Sequence, residues 1–266
     1  MARLRGDEGC PWDREQTALS LRRQLVEECY ETVEAIDSGR PDRLRDELGD
    51  LMLHIVFQAR IGEEAGAFAM PEVLRGINQK LIRRHPHVFG PATVEGAEEV
   101  VEQWDEIKAL ERAGRGERRD SALDGTPRGL PQLLRAELLQ KRAAKVGFDW
   151  PDAAGPAEKI AEEAAELTRS SGDVEEELGD LLFAVVNLAR FLRVSPELAL
   201  GRACAKFDRR FRRMEALAGE SGPRLSEMTL EEMDVLWETA KTEEAAAPPV
   251  SRQAGTDGAP CDSTSS

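Results

Sequence analysis

The stretch EECYE at residues 27–31, followed by ELGDLMLHIV at 47–56, decides the fold of this 266-residue chain because it occurs twice. The second copy reads EEAAE at 162–166 and ELGDLLFAVV at 177–186. A third repeated block follows each copy, and ordered recurrence of this kind indicates duplication of one supersecondary unit with altered loops. The sequence therefore predicts two halves that fold on the same plan.

Apolar residues around the first copy follow the spacing of an α-helix. The first apolar stripe, at i, i+4, i+8 and i+11, consists of Leu25, Cys29, Val33 and Ile36. The segment Ser38-Gly39-Arg40-Pro41 predicts a break, because glycine favours the left-handed cap of one helix and proline the first turn of the next. A second helix is expected from about residue 42 to 62, carrying Leu44, Leu48, Leu51, Ile55 and Gln58 on one side. The two helices form a predicted helical hairpin.

The composition favours the same fold class. Aromatic residues make up 5% of the chain and charged residues 33%, which is typical of amphipathic helices with charged outer faces. We expect an all-α protein in which duplicated helical hairpins form four-helix-bundle-like cores. A lone hairpin leaves one apolar side open, so a dimer is expected unless the two copies pair within one chain.

The repeated blocks divide the chain into two domains. Residues 111–131 combine glycine, proline and charge without apolar periodicity, which is typical of a solvated linker. Residues 243–266 hold one valine and no leucine, isoleucine or aromatic residue, so we expect a disordered tail. The predicted domains are therefore an N-terminal helical domain at 1–110 and a C-terminal helical domain at 132–242.

The acidic composition limits the partners of the chain. Acidic residues outnumber basic ones by 51 to 36, giving a formal net charge of −15, which disfavours binding to phosphodiester backbones and anionic membranes. We expect neither a nucleic-acid partner nor a membrane partner. The four cysteines form no CxxC pair, and the first residues hold no apolar leader segment. Reduced thiols and a cytoplasmic location are therefore expected.

Both copies carry acidic residues at helical spacing beside the apolar stripe. In the first copy they are Glu27, Glu28 and Glu31, followed by Asp46, Glu47 and Asp50. In the second copy they are Glu162, Glu163 and Glu166, followed by Glu176, Glu177 and Asp180. One such cluster alone is more often a solvated acidic face. Its recurrence at the same place in both halves favours binding of a hard divalent cation, since carboxylate oxygens are preferred ligands of Mg²⁺.

The three histidines are not expected to form a transition-metal site. His85 and His87 flank Pro86 in a predicted loop, and Ala184 stands at the position of His54 in the second copy. We expect each to be a structural histidine whose hydrogen bonds are satisfied.

The third repeated block, KLIRRH at 80–85 and KFDRRF at 206–211, supplies clustered cations. One lysine and two arginines in each copy share a helix face at i, i+3 and i+4. They either hold phosphate oxygens or balance the acidic helices as an exposed basic face. These residues are Lys80, Arg83 and Arg84 in the first copy and Lys206, Arg209 and Arg210 in the second. A divalent cation beside them points to a polyphosphate ligand, and without a GxxxxGKS or GxxxxGKT loop a Walker-type NTPase is excluded.

Taken in order, these blocks resemble the MazG nucleoside triphosphate pyrophosphohydrolases, all-α enzymes built on helical hairpins that dimerise. Further blocks carry the resemblance: LRGDEGCPWD at 4–13, KLIRRHPHVFG at 80–90, QKRAAKVGFDWP at 140–151 and LEEMDVLW at 230–237. The resemblance implies hydrolysis of a nucleoside triphosphate to nucleoside monophosphate and pyrophosphate with Mg²⁺, or with Mn²⁺ as the substitute ion. It also implies a broad or non-standard nucleotide specificity suited to clearing nucleotide pools.

The same resemblance implies roles for individual residues. The implied metal ligands of the second half are Glu163, Glu166, Glu177 and Asp180, and their counterparts in the first half are Glu28, Glu31, Glu47 and Asp50. The implied nucleotide contacts are Lys159, Glu162, Lys206, Arg209, Arg210 and Trp237. The implied catalytic group is Glu162, Glu163 and Glu166, and Glu162 is the candidate for orienting the attacking water.

We expect the second half to be the principal catalyst. Gln24 stands where the second half has Lys159, which removes one candidate phosphate contact. The second half also carries Asn187, Arg190 and Trp237 after its acids, a combination expected there alone. Two alternatives stay open: a non-catalytic helical dimerisation or interaction protein, and an all-α pyrophosphohydrolase for one dedicated nucleotide.

Overall fold

The structure is a computed structural model that describes residues 1–114, 116, 120–169, 173–222 and 224–246. Regular secondary structure in these residues is helical, with no β-strand among them. The predicted all-α fold class is therefore confirmed. The chain divides into two compact units, the first formed by Met1–Gly116 and the second by the described residues that follow.

The first unit contains the first two repeated blocks on one pair of long helices. Its described helices are α1 (Pro11–Glu15), α2 (Arg22–Ser38), α3 (Pro41–Glu64), α4 (Met70–Arg84), α5 (Pro86–Phe89) and α6 (Ala97–Gly114). Helix α2 packs along α3, while α4 contacts both α3 and α6. The acidic blocks thus lie on α2 and α3, and the basic block lies on α4.

The second unit repeats this plan. Its described helices are α7 (Gln132–Ala144), α8 (Ala154–Arg169), α9 (Val174–Phe191), α10 (Pro196–Ser221) and α11 (Leu230–Ala246), with a short 3₁₀ helix at Leu225–Glu227. Helix α8 packs along α9, and α10 contacts α11, α7 and α9. The acidic blocks lie on α8 and α9, and the basic block lies on α10.

The α2–α3 hairpin turns where the sequence predicts. Gly39 ends α2 with a φ of 65°, a left-handed conformation that strains residues with a Cβ atom. Pro41 occupies the first turn of α3, where its missing N–H leaves no hydrogen bond unmade. Ala35 on α2 and Phe57 on α3 are buried in the core that this hairpin forms.

The α8–α9 hairpin has a different start to its second helix. The Asp173 carboxylate accepts hydrogen bonds from the backbone N–H groups of Glu175 and Glu176, at 3.0 and 3.2 Å, and so caps α9. Helix α7 braces α9 because Gln140 Nε2 donates a 2.8 Å hydrogen bond to the carbonyl oxygen of Phe183. Helix α9 therefore packs against both α8 and α7.

Helices extend past two of the expected boundaries. Helix α6 runs through Gly114, into the segment 111–131 expected to be a linker, and α11 runs through Ala246, into the expected tail at 243–266. Ion pairs explain both extensions, since Glu111 binds Arg84 and Glu244 binds Arg210. The rest of the expected tail, 247–266, lies outside the described residues.

Part of the expected linker is also structured. The backbone N–H groups of Asp120 and Ser121 both donate to the Asp124 carboxylate, at 2.9 and 3.0 Å. Arg142 on α7 donates to the carbonyl oxygens of Asp124 and Gly125. Side-chain to backbone hydrogen bonds therefore order a stretch that has no apolar periodicity.

Both hairpins retain exposed apolar side chains. On α3 these are Leu48, Met52, Leu53 and Ile55, and on α9 they are Leu178, Leu182, Phe183 and Val185. No helix within the described part of the chain combines the length and apolar character needed to cross a bilayer.

Candidate metal and nucleotide site

The α8 acids of the second unit converge. One carboxylate oxygen from each of Glu162, Glu163 and Glu166 lies within 4.8 Å of the others. Glu163 is only 4% exposed, while Glu162 and Glu166 face solvent. Three carboxylates this close repel one another, and a nearby positive charge stabilises them.

The acids of α9 face the same cluster. Burial raises the pKa of Glu177, and the negative charges of Glu166, Glu163, Asp180 and Glu176 raise it further. The charges that act on Glu177 therefore come from both helices of the hairpin. Of the four residues for which the sequence predicts metal binding, Glu163 and Glu166 therefore lie near Glu177, and Asp180 lies near Glu177 on α9.

Lys159 lies at the edge of this cluster, one turn before its first acid. Its Nζ atom is 2.6 Å from Glu163 Oε1 and 2.9 Å from Glu162 Oε1. Hydrogen bonds to Glu163 and Glu162 raise the pKa of this ammonium well above its usual range. The lysine is therefore a fixed positive charge, and it contacts a residue predicted to bind metal as well as one predicted to bind nucleotide.

The first unit has a corresponding cluster that spans two helices. Oxygens of Glu28 on α2 and of Glu47 and Asp50 on α3 lie within 4.8 Å of one another. Burial raises the pKa of Glu28, and the charges of Glu31, Asp50 and Glu47 raise it further, while His54 lowers it. The four acids predicted for this half are therefore close enough to interact electrostatically, with Glu28 affected by the other three.

His54 differs from the structural histidine that the sequence predicts. It is 7% exposed, and its Nδ1 atom has no hydrogen-bond partner among the residues that the structure describes. Its Nε2 atom is 4.0 Å from Glu28 Oε1, which is beyond hydrogen-bond length. The expectation of a satisfied ring is wrong here, because the ring is buried without a hydrogen-bond partner at Nδ1 among the described residues.

The other two histidines fit the structural role. His85 Nδ1 lies 2.7 Å from the carbonyl oxygen of Leu81, and His87 Nδ1 lies 3.2 Å from Gln103 Oε1. The predicted loop between them is wrong, because Pro86 starts the short helix α5, in keeping with the preference of proline for a first helical turn.

The basic block of the second unit is held by one carboxylate on α11. Glu244 accepts a 2.8 Å hydrogen bond from Arg209 Nη2 and a 2.6 Å hydrogen bond from Arg210 Nε. The Arg210 guanidinium lies 6.0 Å from the centre of the Trp237 ring. The centres of the Phe207 and Trp237 rings are 5.4 Å apart. Two predicted phosphate ligands and the predicted base-stacking residue therefore share the α10–α11 pair, and Lys206 is exposed on the same block.

Arg190, which the sequence places in the catalytic half, has a structural partner. It forms an ion pair with Asp149 and donates a 2.8 Å hydrogen bond to Asn187 Oδ1. The hydrogen bond from Arg190 lowers the pKa of Asp149. The same ion pair joins helix α9 to the segment that precedes α8.

The first unit reproduces the basic arrangement with residues that sequence reasoning missed. Glu111 on α6 lies 2.6 Å from both Arg83 and Arg84. The hydrogen bonds from these arginines, that from Arg84 above all, lower the pKa of Glu111 to about 2. Trp104 precedes Glu111 by the same seven-residue step that separates Trp237 from Glu244.

A fourth repeated block therefore exists. EEVVEQW at 98–104 matches EEMDVLW at 231–237, and each block ends on its tryptophan. Trp104 occupies the corresponding place on α6, so within the combination expected for the second half alone the tryptophan does not distinguish the two halves. In the sequence, this block can be detected by the spacing from tryptophan to glutamate, which is the same in both units. In the first unit the glutamate already lies in the segment that was expected to be a linker.

Glu111→Gln is expected to lower the melting temperature at pH 7, because it removes a carboxylate bound by two arginines. The pKa of Glu111 is lowered on folding, so its contribution is present above about pH 4.5 and is lost as the pH falls towards 2. The difference in melting temperature between wild type and variant should therefore shrink over that range. Glu102→Gln, an exposed site on the same helix, is the control. A difference that stays constant down to pH 2 contradicts the ion-pair account.

A comparison with known proteins decides the family. The family model described as the MazG nucleotide pyrophosphohydrolase domain matches residues 16–89 and 156–214. The chain belongs to the MazG family. Within this MazG protein, the two matched segments contain the acidic clusters of both units together with both basic blocks. Trp104, Glu111, Trp237 and Glu244 lie outside them.

Full-length relatives support the same assignment. This MazG chain is 47% identical over 243 residues to the nucleoside triphosphate pyrophosphohydrolase/pyrophosphatase MazG of Thermotoga maritima, covering 91% of this chain and 92% of the relative. It is 43% identical over 252 residues to the nucleoside triphosphate pyrophosphohydrolase of Escherichia coli K12, covering 92% and 95%. It is also 44% identical over 247 residues to the uncharacterized protein YabN of Bacillus subtilis, covering 91% of this chain and 50% of that protein. The resemblance seen in the sequence and the class of enzyme it implies, a hydrolase of phosphoanhydrides, are confirmed.

Proposed function

We propose that this MazG protein hydrolyses nucleoside triphosphates to nucleoside monophosphates and pyrophosphate, with Mg²⁺ or its substitute Mn²⁺ as cofactor. The observation that carries the proposal is the cluster of Glu162, Glu163 and Glu166 on α8, with Glu177 of α9 close enough to feel the charges of Glu163 and Glu166. The names of the relatives support the reaction class. We propose broad or non-standard nucleotide specificity and a role in clearing nucleotide pools. The free thiols of Cys10, Cys29 and Cys204 fit the reducing cytoplasm in which we place the reaction.

The donor set of the second unit fits Mg²⁺. Its converging donors are carboxylate oxygens, the ligands that Mg²⁺ prefers, and the partly desolvated Glu177 regains favourable charge interaction when a cation is close. Glu163, Glu166, Glu177 and Asp180 would hold the ion. A bound Mg²⁺ lowers the pKa of coordinated water and neutralises phosphate charge.

Lys159 and Glu162 complete the proposed reaction site. Lys159 Nζ contacts Glu163 Oε1 at 2.6 Å, so this ammonium would leave Glu163 if that oxygen held a cation. It would then be available to a phosphate oxygen of the substrate. Glu162, which is exposed at the rim of the cluster, would orient the attacking water.

The α10–α11 pair supplies the proposed contacts to the rest of the nucleotide. Lys206, Arg209 and Arg210 would stabilise negative charge on the pyrophosphate leaving group. Glu244 holds both arginine side chains, which reduces the conformational entropy that they lose on binding phosphate. Trp237 offers an aromatic face for stacking on the base.

The test is a panel of standard and modified nucleoside triphosphates, assayed for pyrophosphate with and without Mg²⁺. The proposal expects Mg²⁺-dependent release from several nucleotides. Turnover of a single nucleotide supports the dedicated pyrophosphohydrolase instead. No turnover, without a Mg²⁺-dependent rise in melting temperature, supports a non-catalytic interaction protein.

We also propose that the protein is a homodimer in solution. The apolar residues exposed on α3 and α9 include Met52 and Leu182, at equivalent positions of the repeat and 55% and 47% exposed. Sedimentation is expected to show a dimer at micromolar concentration, and Met52→Glu combined with Leu182→Glu should shift it towards monomer. Val235→Glu, at an exposed valine of α11, is the control. A monomeric wild type contradicts the proposal.

A further inference from the structure

An open cleft lies beside the basic block of the first unit, where α4 meets α6. Its lining residues are Gly76, Lys80, Arg83 and Arg84 on α4 and Glu111 on α6. The α4 residues follow i, i+4, i+7 and i+8 spacing and therefore share one face of the helix. The cleft has a volume of about 510 Å³, within the range of roughly 300–1,000 Å³ that is usual for small-molecule sites.

The cleft is positively charged, although the chain as a whole carries a formal net charge of −15. Three cations line it against one carboxylate, that of Glu111. Hydrogen bonds from Arg84 and Arg83 lower the pKa of Glu111 to about 2, so the carboxylate is ionised at neutral pH and these arginines offset its charge. Lys80 is exposed and has no carboxylate partner among the described residues. The excess of positive charge favours binding of an anion.

The two arginines of the cleft keep free hydrogen-bond donors. Glu111 accepts a 2.6 Å hydrogen bond from Arg83 Nε and a 2.6 Å hydrogen bond from Arg84 Nη2. Within the described part of the chain, neither arginine has a hydrogen-bond partner at Nη1. Glu111 therefore fixes both guanidinium groups and leaves part of each available, and guanidinium groups match the geometry of phosphate oxygens.

Gly76 leaves space in the cleft next to Lys80. A glycine inside a helix is unfavourable because it loses more backbone entropy on folding than other residues do. Packing does not require it, since a Cβ atom at this position would meet no atom within 4 Å. Its φ is not positive, so the backbone conformation does not require it either. The missing side chain does leave room for a ligand.

We propose that this cleft binds the phosphate chain of an inorganic or nucleoside triphosphate without a divalent cation. Lys80 and the free donors of Arg83 and Arg84 would hold the phosphate oxygens, and Gly76 would admit the chain against α4. The inference goes beyond the proposed hydrolysis, because none of these residues belongs to the set proposed for that reaction. The rival explanation is an ion-pair cluster that only joins α4 to α6, and it predicts no ligand.

Acetylation of individual lysines, measured by peptide mass spectrometry on the full chain with a chelator present, tests the proposal. The probes are inorganic triphosphate and a nucleoside triphosphate, each compared with sodium chloride at equal ionic strength. Both triphosphates are expected to slow the acetylation of Lys80 at similar concentrations, and sodium chloride is not. Lys141, which is paired with Glu137 on α7, is the internal control and should react at an unchanged rate.

Gly76→Glu tests the role of the cleft with little risk to the fold. The new side chain would occupy the cleft and place a negative charge beside the phosphate chain. It should raise the triphosphate concentration needed to protect Lys80 by at least about tenfold. Asn78→Glu adds the same charge about 200° round the same helix, at an exposed residue that does not line the cleft, and should keep the protection. Circular dichroism checks the helicity of each variant.

The proposal is overturned if neither triphosphate slows the acetylation of Lys80, or if sodium chloride slows it equally. Protection by the nucleoside triphosphate alone also overturns it, because the phosphate chain would then not be the part that is recognised. Equal protection in Gly76→Glu and the wild type excludes the cleft as the site. Pyrophosphate release with Mg²⁺, assayed on the same proteins, tests the proposed function separately, since the binding assay contains no free Mg²⁺.

Discussion

Glu163→Gln is expected to lower the rate of pyrophosphate release by at least about 100-fold, because it replaces a proposed charged ligand of the metal with a neutral amide. Glu163 is 4% exposed, so its carboxylate is largely shielded from bulk solvent. The amide has nearly the same shape as the carboxylate. The measurement is the rate at saturating Mg²⁺, with far-UV circular dichroism recorded on the same sample.

The fold is expected to survive this change. Lys159 loses its contact with Glu163 but keeps Glu162, whose Oε1 lies 2.9 Å from Nζ. Glu158→Gln, an exposed site on the same helix, is the matched control and should retain wild-type activity. Activity retained by Glu163→Gln at full helicity contradicts the placement of the metal on α8.

Glu166→Gln and Glu31→Gln are expected to give very different losses, although the two residues occupy equivalent positions in the repeat. We expect loss by orders of magnitude for Glu166→Gln and little loss for Glu31→Gln. The second unit joins its acids to Lys159, whereas the first unit has Gln24 there and a buried imidazole beside its acids. Steady-state rates of pyrophosphate release, compared under identical Mg²⁺ concentrations, measure the difference.

Trp104 and Glu111 limit the possible causes of a difference between Glu166→Gln and Glu31→Gln. The first unit holds its arginines on a glutamate and carries a tryptophan as the second unit does, so the basic block does not explain unequal activity. Differences between the two acidic hairpins must therefore explain any difference in activity. Equal losses in the two variants contradict the assignment of catalysis to the second unit.

The hairpins were predictable because their signals are local. Gly39 and Pro41 mark a helix end and a helix start through backbone geometry that few other residues tolerate. The acids recur at helical spacing, so their shared faces follow from the periodicity of the helix. The convergence of Glu163 and Glu177 follows once the two helices are antiparallel neighbours.

The helix ends beyond the basic blocks were not predictable in the same way. Glu111 and Glu244 lie in stretches whose composition predicts solvated chain, yet each is bound by two arginines from another helix. Composition measures the apolar area a segment can bury and does not register ion pairs with a distant segment. The seven-residue step from tryptophan to glutamate was available in the sequence and identifies both residues.

The environment of His54 is also not readable from the sequence. Its helical position relative to Asp50 predicts that it lies on the acidic side of α3, but the missing partner of Nδ1 depends on which groups of neighbouring helices reach the ring. Lys159 is the opposite case, since its spacing to Glu162 and Glu163 predicts the ion pairs that form.

The central claim is that the α8–α9 carboxylates direct cleavage between the α and β phosphorus atoms of a nucleoside triphosphate. Phosphorus NMR of the full chain with nucleoside triphosphate and Mg²⁺ tests it most directly, with Glu163→Gln as the paired sample. The account predicts that nucleoside monophosphate and pyrophosphate appear in equal amounts with the wild type and not with the variant. Formation of nucleoside diphosphate and orthophosphate, or the same products at the same rate from Glu163→Gln, would contradict it.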